Sequence, residues 1–176
     1  VRGRAGRSRS VDVRARVVVG ADGRNSTVAR AVRPESYDER PPLQGGYYTY
    51  WSGLPADAFE VVVRPGGGFG VLPTHDGLTL VVAGWPYAEF RTKRAHVEAN
   101  YLRSFEQAPA LAERIRAAKR EARFLGTGVR SYFRKPYGPG WALVGDAGYH
   151  KDPVTAWGIS DAFRDAELCA AALDAS

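Results

Sequence analysis

A chain of 176 residues, 44% hydrophobic and 25% charged, is long enough for one ordinary domain or two small ones and has a globular composition. No apolar run reaches the roughly 18 residues of a membrane-spanning helix, and a single cysteine, Cys169, excludes an internal disulfide and a cysteine-rich zinc site. The net charge of +6 raises the question of nucleic acid. The arginines are scattered, however, and no aromatic-basic motif accompanies them, so the reading is of solvated basic faces, with neither nucleic acid nor membrane as partner.

The basic opening VRGRAGRSRS lacks the apolar core of a signal peptide, and cytoplasm is the default compartment. VRGRAG, SRS and VDVRARVVVG read as two strands joined by a turn. They start in mid-element and without methionine, as if cut from a larger protein. Residues 11–19, VDVRARVVV, alternate and then turn continuously apolar, as a strand entering a buried sheet does. GADGRNS is a turn, and STVARAV begins a short helix for which Ser26 or Asn25 is the cap. Pro34, Pro41 and Pro42 mark a loop and a change of subdomain.

GYYTYWS (46–52), FEVVVRP (59–65), FGVLPT and LTLVVAGWP (78–86) read as strands, with GGGFG as a bend and HDG as a turn. Their spacing predicts an antiparallel meander of about four strands. RTKRAHVEANYLRSFEQ (91–107) places Val97, Tyr101 and Phe105 four apart on one helical face. Pro109 opens a second helix, PALAERIRAAKREA. TGVRSYFRKP reads as a strand, GWALVGD as a strand ending in a turn, and the last stretch as a helix with Cys169 in apolar packing.

Two stretches carry chemistry. In VVVGADGRNSTVAR (17–30) a buried strand ends in Asp22 and Gly23: the aspartate can accept hydrogen bonds from ligand hydroxyls, and the glycine lets backbone approach a bulky group. In GDAGYHKDPVTAWGISDAFRDAE (145–167) a second strand ends in Gly-Asp, and small residues precede a helix whose N-terminus favours electron-rich atoms. Each stretch alone is most simply a strand-turn-helix connection, with Asp161 and Asp165 solvated on the helix. His75, His96 and His150 are too dispersed for a metal set. No serine-nucleophile motif or carboxylate pair stands out, so no side chain is assigned catalysis. Tyr47, Tyr48, Tyr50, Trp51 and Trp85 read either as pocket lining or as core.

Together, in order and spacing, the two stretches resemble the DG and GD fingerprints of the flavin-dependent monooxygenases of the p-hydroxybenzoate hydroxylase type. The resemblance implies an α+β fold: an antiparallel-sheet substrate domain with helices, plus the C-terminal part of an incomplete Rossmann-like FAD-binding domain. The implied segments are 1–33 (FAD-binding, DG), 34–135 (substrate-binding) and 136–176 (FAD-binding, GD). By position, the resemblance makes Asp146 the ligand of the FAD ribityl chain, flanked by Gly145 and Ala147. Pro153 lies beside the ring, and Gly158 and Ile159 face the flavin pyrimidine end. Asp22, Gly23 and Arg24 serve FAD and NAD(P)H.

Three positions depart from the family pattern. Tyr149 stands where many members have histidine, Ser160 where many have asparagine, and Trp157 where a smaller residue is expected, so its ring would crowd the flavin. The family's G-x-G-x-x-G phosphate cradle occurs nowhere in the sequence. The implied activity is that of a piece of an enzyme that uses FAD, NAD(P)H and O₂ to oxygenate a small organic substrate. A non-catalytic small-molecule-binding remnant unable to hold FAD by itself, or a flavin-dependent reductase or halogenase, remains the alternative.

Overall fold

The basic opening stretch pairs as a hairpin in a computed structural model of the chain, which describes residues 2–5, 9–153 and 156–175: β1 (Arg2–Ala5) runs antiparallel to β2 (Arg9–Asp12). The expected strand over 11–19 is interrupted at 13–17 and resumes as β3 (Val18–Gly20). Helix α1 (Thr27–Val32) follows, capped by Ser26, whose Oγ accepts the Ala29 N–H at 2.9 Å. β4 (Ser36–Arg40) closes this first segment.

Residues 42–129 form one compact unit. Its strands are β5 (Gln44–Ser52), β6 (Glu60–Arg64), β7 (Gly67–Pro73) and β8 (Thr79–Pro86). Three helices follow, α2 (Tyr87–Thr92), α3 (Val97–Ser104) and α4 (Pro109–Ala117), then β9 (Lys119–Arg120) and β10 (Leu125–Thr127). The sheet is antiparallel with order β10-β5-β8-β7-β6. Only β6, β7 and β8 form a meander. β5 skips its sequence neighbour and pairs with β8, Tyr48 opposite Val82.

Period-two alternation decides which side chains this sheet buries. Tyr47, Trp51, Phe69, Val71, Val81, Ala83 and Trp85 pack with Phe90, Tyr101, Phe105, Leu111 and Ile115 of the helical layer. Tyr47, Trp51 and Trp85 are therefore core, whereas Tyr48 and Tyr50 fall on the alternate positions and are half-buried. At the centre the Tyr101 hydroxyl donates to Val81 O at 3.0 Å, and burial pushes its pKa up.

Three expected elements differ here. The turn before β7 is confined to Pro65 and Gly66, and Gly67 already pairs with Arg64 as strand. The helix expected over 91–107 is broken by a 3₁₀ turn at Lys93–His96, because RTKRAH offers no large apolar side chain to hold a helix against the core. The second helix ends at Ala117, where the chain becomes extended at Ala118 and joins β5 through β9.

The other unit comprises 1–41 and 130–176. Its second segment contains β11 (Ser131–Arg134), β12 (Tyr137–Gly138), β13 (Trp141–Leu143), β14 (Tyr149–His150) and α5 (Gly158–Asp174). The division falls at 41/42 and 129/130, rather than at the expected 33/34 and 135/136, because β4 and β11 pair with each other. β13 lies parallel to β3, with Leu143 opposite Gly20. Val144 N–H then donates to Gly20 O at 3.0 Å, so the two strand ends stay side by side as they enter their turns. Ala29, Leu143 and Ala147 form a small core beneath them. The whole is α+β: an antiparallel sheet with helices, and a smaller unit holding a parallel strand pair. No helix among the described residues is long and apolar enough to cross a membrane.

Candidate functional site

The parallel pairing of β3 and β13 brings the DG and GD turns to the same sheet edge, and a cleft of about 720 Å³ opens there. Gly23, Gly145, Asp146, Pro153, Gly158 and Ile159 line it. Of the other candidates, Ala147 is buried beside it in the small core, while Asp22 and Arg24 are exposed in the DG turn and are not among the lining residues.

The aspartates of this region differ sharply. Asp22 is committed to α1: its Oδ2 accepts from Thr27 N–H at 2.6 Å and Val28 N–H at 3.4 Å. Partial burial acts to raise its pKa, but hydrogen bonds from the Ser26 hydroxyl and these backbone N–H groups outweigh it and hold the carboxyl below the usual range. Asp161, expected in solvent, is 3% exposed. Lys151 Nζ stands 2.5 Å from one oxygen and Arg164 Nη1 3.2 Å from the other, close ion pairs that lower its pKa, Lys151 most. Asp165 accepts from the Gly145 N–H.

Among the described residues, no protein group hydrogen-bonds the carboxylate of Asp146. Its side chain is 45% exposed, and among the described residues its nearest ionic neighbour is His150 Nε2 at 3.8 Å, beyond hydrogen-bonding range. The Nδ1 of His150 is buried without a hydrogen-bond partner. An unmade hydrogen bond at a buried atom is costly, which marks this wall of the cleft as one that a polar group can complete.

Sequence reasoning missed Tyr132. Its hydroxyl lies 3.0 Å from the carbonyl of Asp146 and 3.3 Å from that of Arg24, and it donates to one at a time. Arg134 lies over the Tyr132 ring, 4.4 Å from its centroid, and donates to Ala147 O at 2.8 Å. The two turns are thus tied by one buried ring. The partners lie 14 and 108 residues away in sequence, so no local pattern pointed to it.

These residues fit the flavin group that the sequence resemblance implies. Asp146 offers two acceptor oxygens that no described residue hydrogen-bonds. At Gly23, φ is 74° and the space a side chain would fill is open; the space at Gly158 is open too. Trp157, expected to crowd the group, is 61% exposed on the cleft wall and leaves the volume open. The Cys169 thiol is only half-buried, on α5. Among the described residues no three His, Cys, Asp or Glu side chains are grouped to hold a metal ion.

No protein-family model matches the chain, and no curated protein matches it in sequence. Solved structures do. The chain is similar to the myxobacterial chondrochloren halogenase CndH, a variant of FAD-dependent halogenases, with 27% identity and a TM-score of 0.77 over 90% of this chain and 39% of that one. It is similar to PqsL of Pseudomonas aeruginosa, a probable FAD-dependent monooxygenase, with 28% identity and a TM-score of 0.73 over 90% and 46%. The flavin-dependent brominase Bmp2 shares the fold at 19% identity, with a TM-score of 0.75 over 90% and 42%. The chain spans less than half the length of each of these proteins, and its fold is that of part of the FAD-dependent monooxygenases and halogenases.

Proposed function

We propose that this chain supplies one wall of the FAD site, together with a substrate-binding sheet, of a flavin-dependent monooxygenase. The observation that carries the reading is Asp146: a half-exposed carboxylate that, among the described residues, has no hydrogen bond and faces a cleft, while Asp22, Asp161 and Asp165 are each engaged by the protein itself. Asp146 accepts from the ribityl hydroxyls, and Gly145 and Ala147 shape the turn that presents it. Pro153 lies beside the ring, the opening of α5 at Gly158 and Ile159 serves the pyrimidine end, and Gly23 and Arg24 serve the approach of NAD(P)H. When bound, the flavin supplies the redox chemistry, taking electrons from NAD(P)H and using O₂ to oxygenate a small organic substrate. The protein's own residues bind, orient and keep water out, which requires no side-chain nucleophile.

The test uses the purified complete gene product. It is expected to carry flavin absorbance or to acquire it with added FAD, and to consume NAD(P)H faster with a suitable substrate. Asp146→Ala is expected to weaken FAD binding by about tenfold or more, the cost of hydrogen bonds to a charged acceptor. A colourless protein that also fails to bind added FAD overturns the reading. Halide-dependent product formation, in place of oxygenation, would move the activity to that of the halogenases.

A further inference from the structure

The turn that presents Asp146 is gripped from α5. Gly145 is buried, with φ of 55°, and its N–H donates to Asp165 Oδ2 at 3.0 Å. A Cβ at Gly145 would stand 3.0 Å from the Ala162 Cβ, so one turn of α5 presses on the glycine while the next hydrogen-bonds its amide. The other oxygen of Asp165 lies 3.5 Å from the Tyr149 hydroxyl, which accepts from Arg164 Nη2 at 2.8 Å. Burial and then the charges of Asp165 and Asp161 push the Tyr149 pKa up to about 12, so the phenol keeps its proton and remains a donor toward Asp165. Phe133 stacks on the Tyr149 ring at 5.4 Å and holds it in place. The Asp165 side chain is 17% exposed, largely withdrawn from water.

We propose that Asp165 is a positioning residue: by accepting the Gly145 N–H it fixes the left-handed turn at Gly145 and so sets the direction of the Asp146 carboxylate into the cleft. A left-handed backbone site is held by its surroundings: Gly148 N–H donates to Gly145 O at 2.8 Å within the turn, and Asp165 is the side chain that binds the Gly145 N–H from α5. The inference rests on the cofactor reading above for what Asp146 meets, but the latch itself is a property of this chain.

Two measurements on the complete gene product separate the two claims: hydrogen exchange at the Gly145 amide, and FAD affinity by fluorescence titration. Asp165→Ala is expected to speed that exchange and to raise the FAD Kd by about tenfold, as loss of a buried hydrogen bond does. Asp165→Asn, which keeps an acceptor oxygen in place, is expected to stay within about threefold of wild type in both. If Asp165→Ala does not fold, Asp165→Glu decides: it keeps the charge and displaces the acceptor, and a wild-type Kd in that folded variant overturns the proposal. So does a Gly145 amide that exchanges in the wild type as fast as a solvent-facing glycine. If the wild type takes up no flavin, the cofactor reading fails, and the exchange comparison still supports or removes the latch.

Discussion

A hydroxyl that serves two turns should be felt as stability when it is removed. Tyr132→Phe keeps the buried ring and its contact with Arg134 but leaves the carbonyls of Asp146 and Arg24 without their donor. The expected loss is about 1–2 kcal/mol, read as a lower urea midpoint with an unchanged slope. An unchanged midpoint would mean that water satisfies both carbonyls. What was legible in the sequence at this scale was local chemistry. Of the two caps the sequence offers, Ser26 and Asn25, Ser26 serves an N–H three residues on, and Asp-Gly after one apolar strand and Gly-Asp after another mark the two turns. Asp161 was misread as solvated because only half of its enclosure is local: Arg164 lies one helical turn along, but Lys151 reaches it from outside the helix.

Elements follow the same division between near and far. Val97, Tyr101 and Phe105 lie four apart, and Tyr101 and Phe105 are buried, so periodicity found that helical face. The pairing of β5 with β8 was invisible, because pattern fixes which face of a strand is buried but not which strand lies beside it. Beside the core packing of Leu111 and Ile115, one nonlocal pair ties α4 to β6. Arg114 donates to both oxygens of Glu60, at 2.7 and 2.8 Å, and to Pro55 O at 2.9 Å. The hydrogen bond from Arg114 holds the Glu60 pKa below its ordinary value of 4.5, with partial burial opposing it. A carboxyl whose folded pKa is depressed stabilises the fold above its unfolded value and loses that contribution as pH falls through the folded one. Glu60→Gln should therefore be less stable than wild type at neutral pH. The gap should close progressively as pH drops below 4.5, and a gap independent of pH would show that the charge on Glu60 contributes nothing.

At the scale of the whole molecule, one compact unit is built from the two ends of the chain and the other, with the larger core, from the alternating apolar strands between them. What the sequence could not reveal is how sparingly the last helix is buried. α5 runs for 17 residues, yet the only residue it buries is the charged Asp161. Ile159 and Phe163 are each 74% exposed and Leu168 is 62% exposed. Ile159 and Phe163 lie on the cleft side of the helix and Leu168 on another side. Helices in proteins draw most of their stability from packing apolar side chains, and large apolar side chains left in water bind other apolar groups. In the 176-residue chain the amides of α5 should therefore exchange with solvent faster than those of β5 and β8, whose side chains make the core. The chain should also bind an apolar-surface dye such as ANS. Replacing Phe163 and Leu168 together by serine should lower the dye signal while changing stability by less than about 0.5 kcal/mol, because exposed side chains contribute little to folding. A double variant that binds the dye as wild type does, or that loses more than about 1 kcal/mol, would show that these side chains are packed in solution and that α5 belongs to the core.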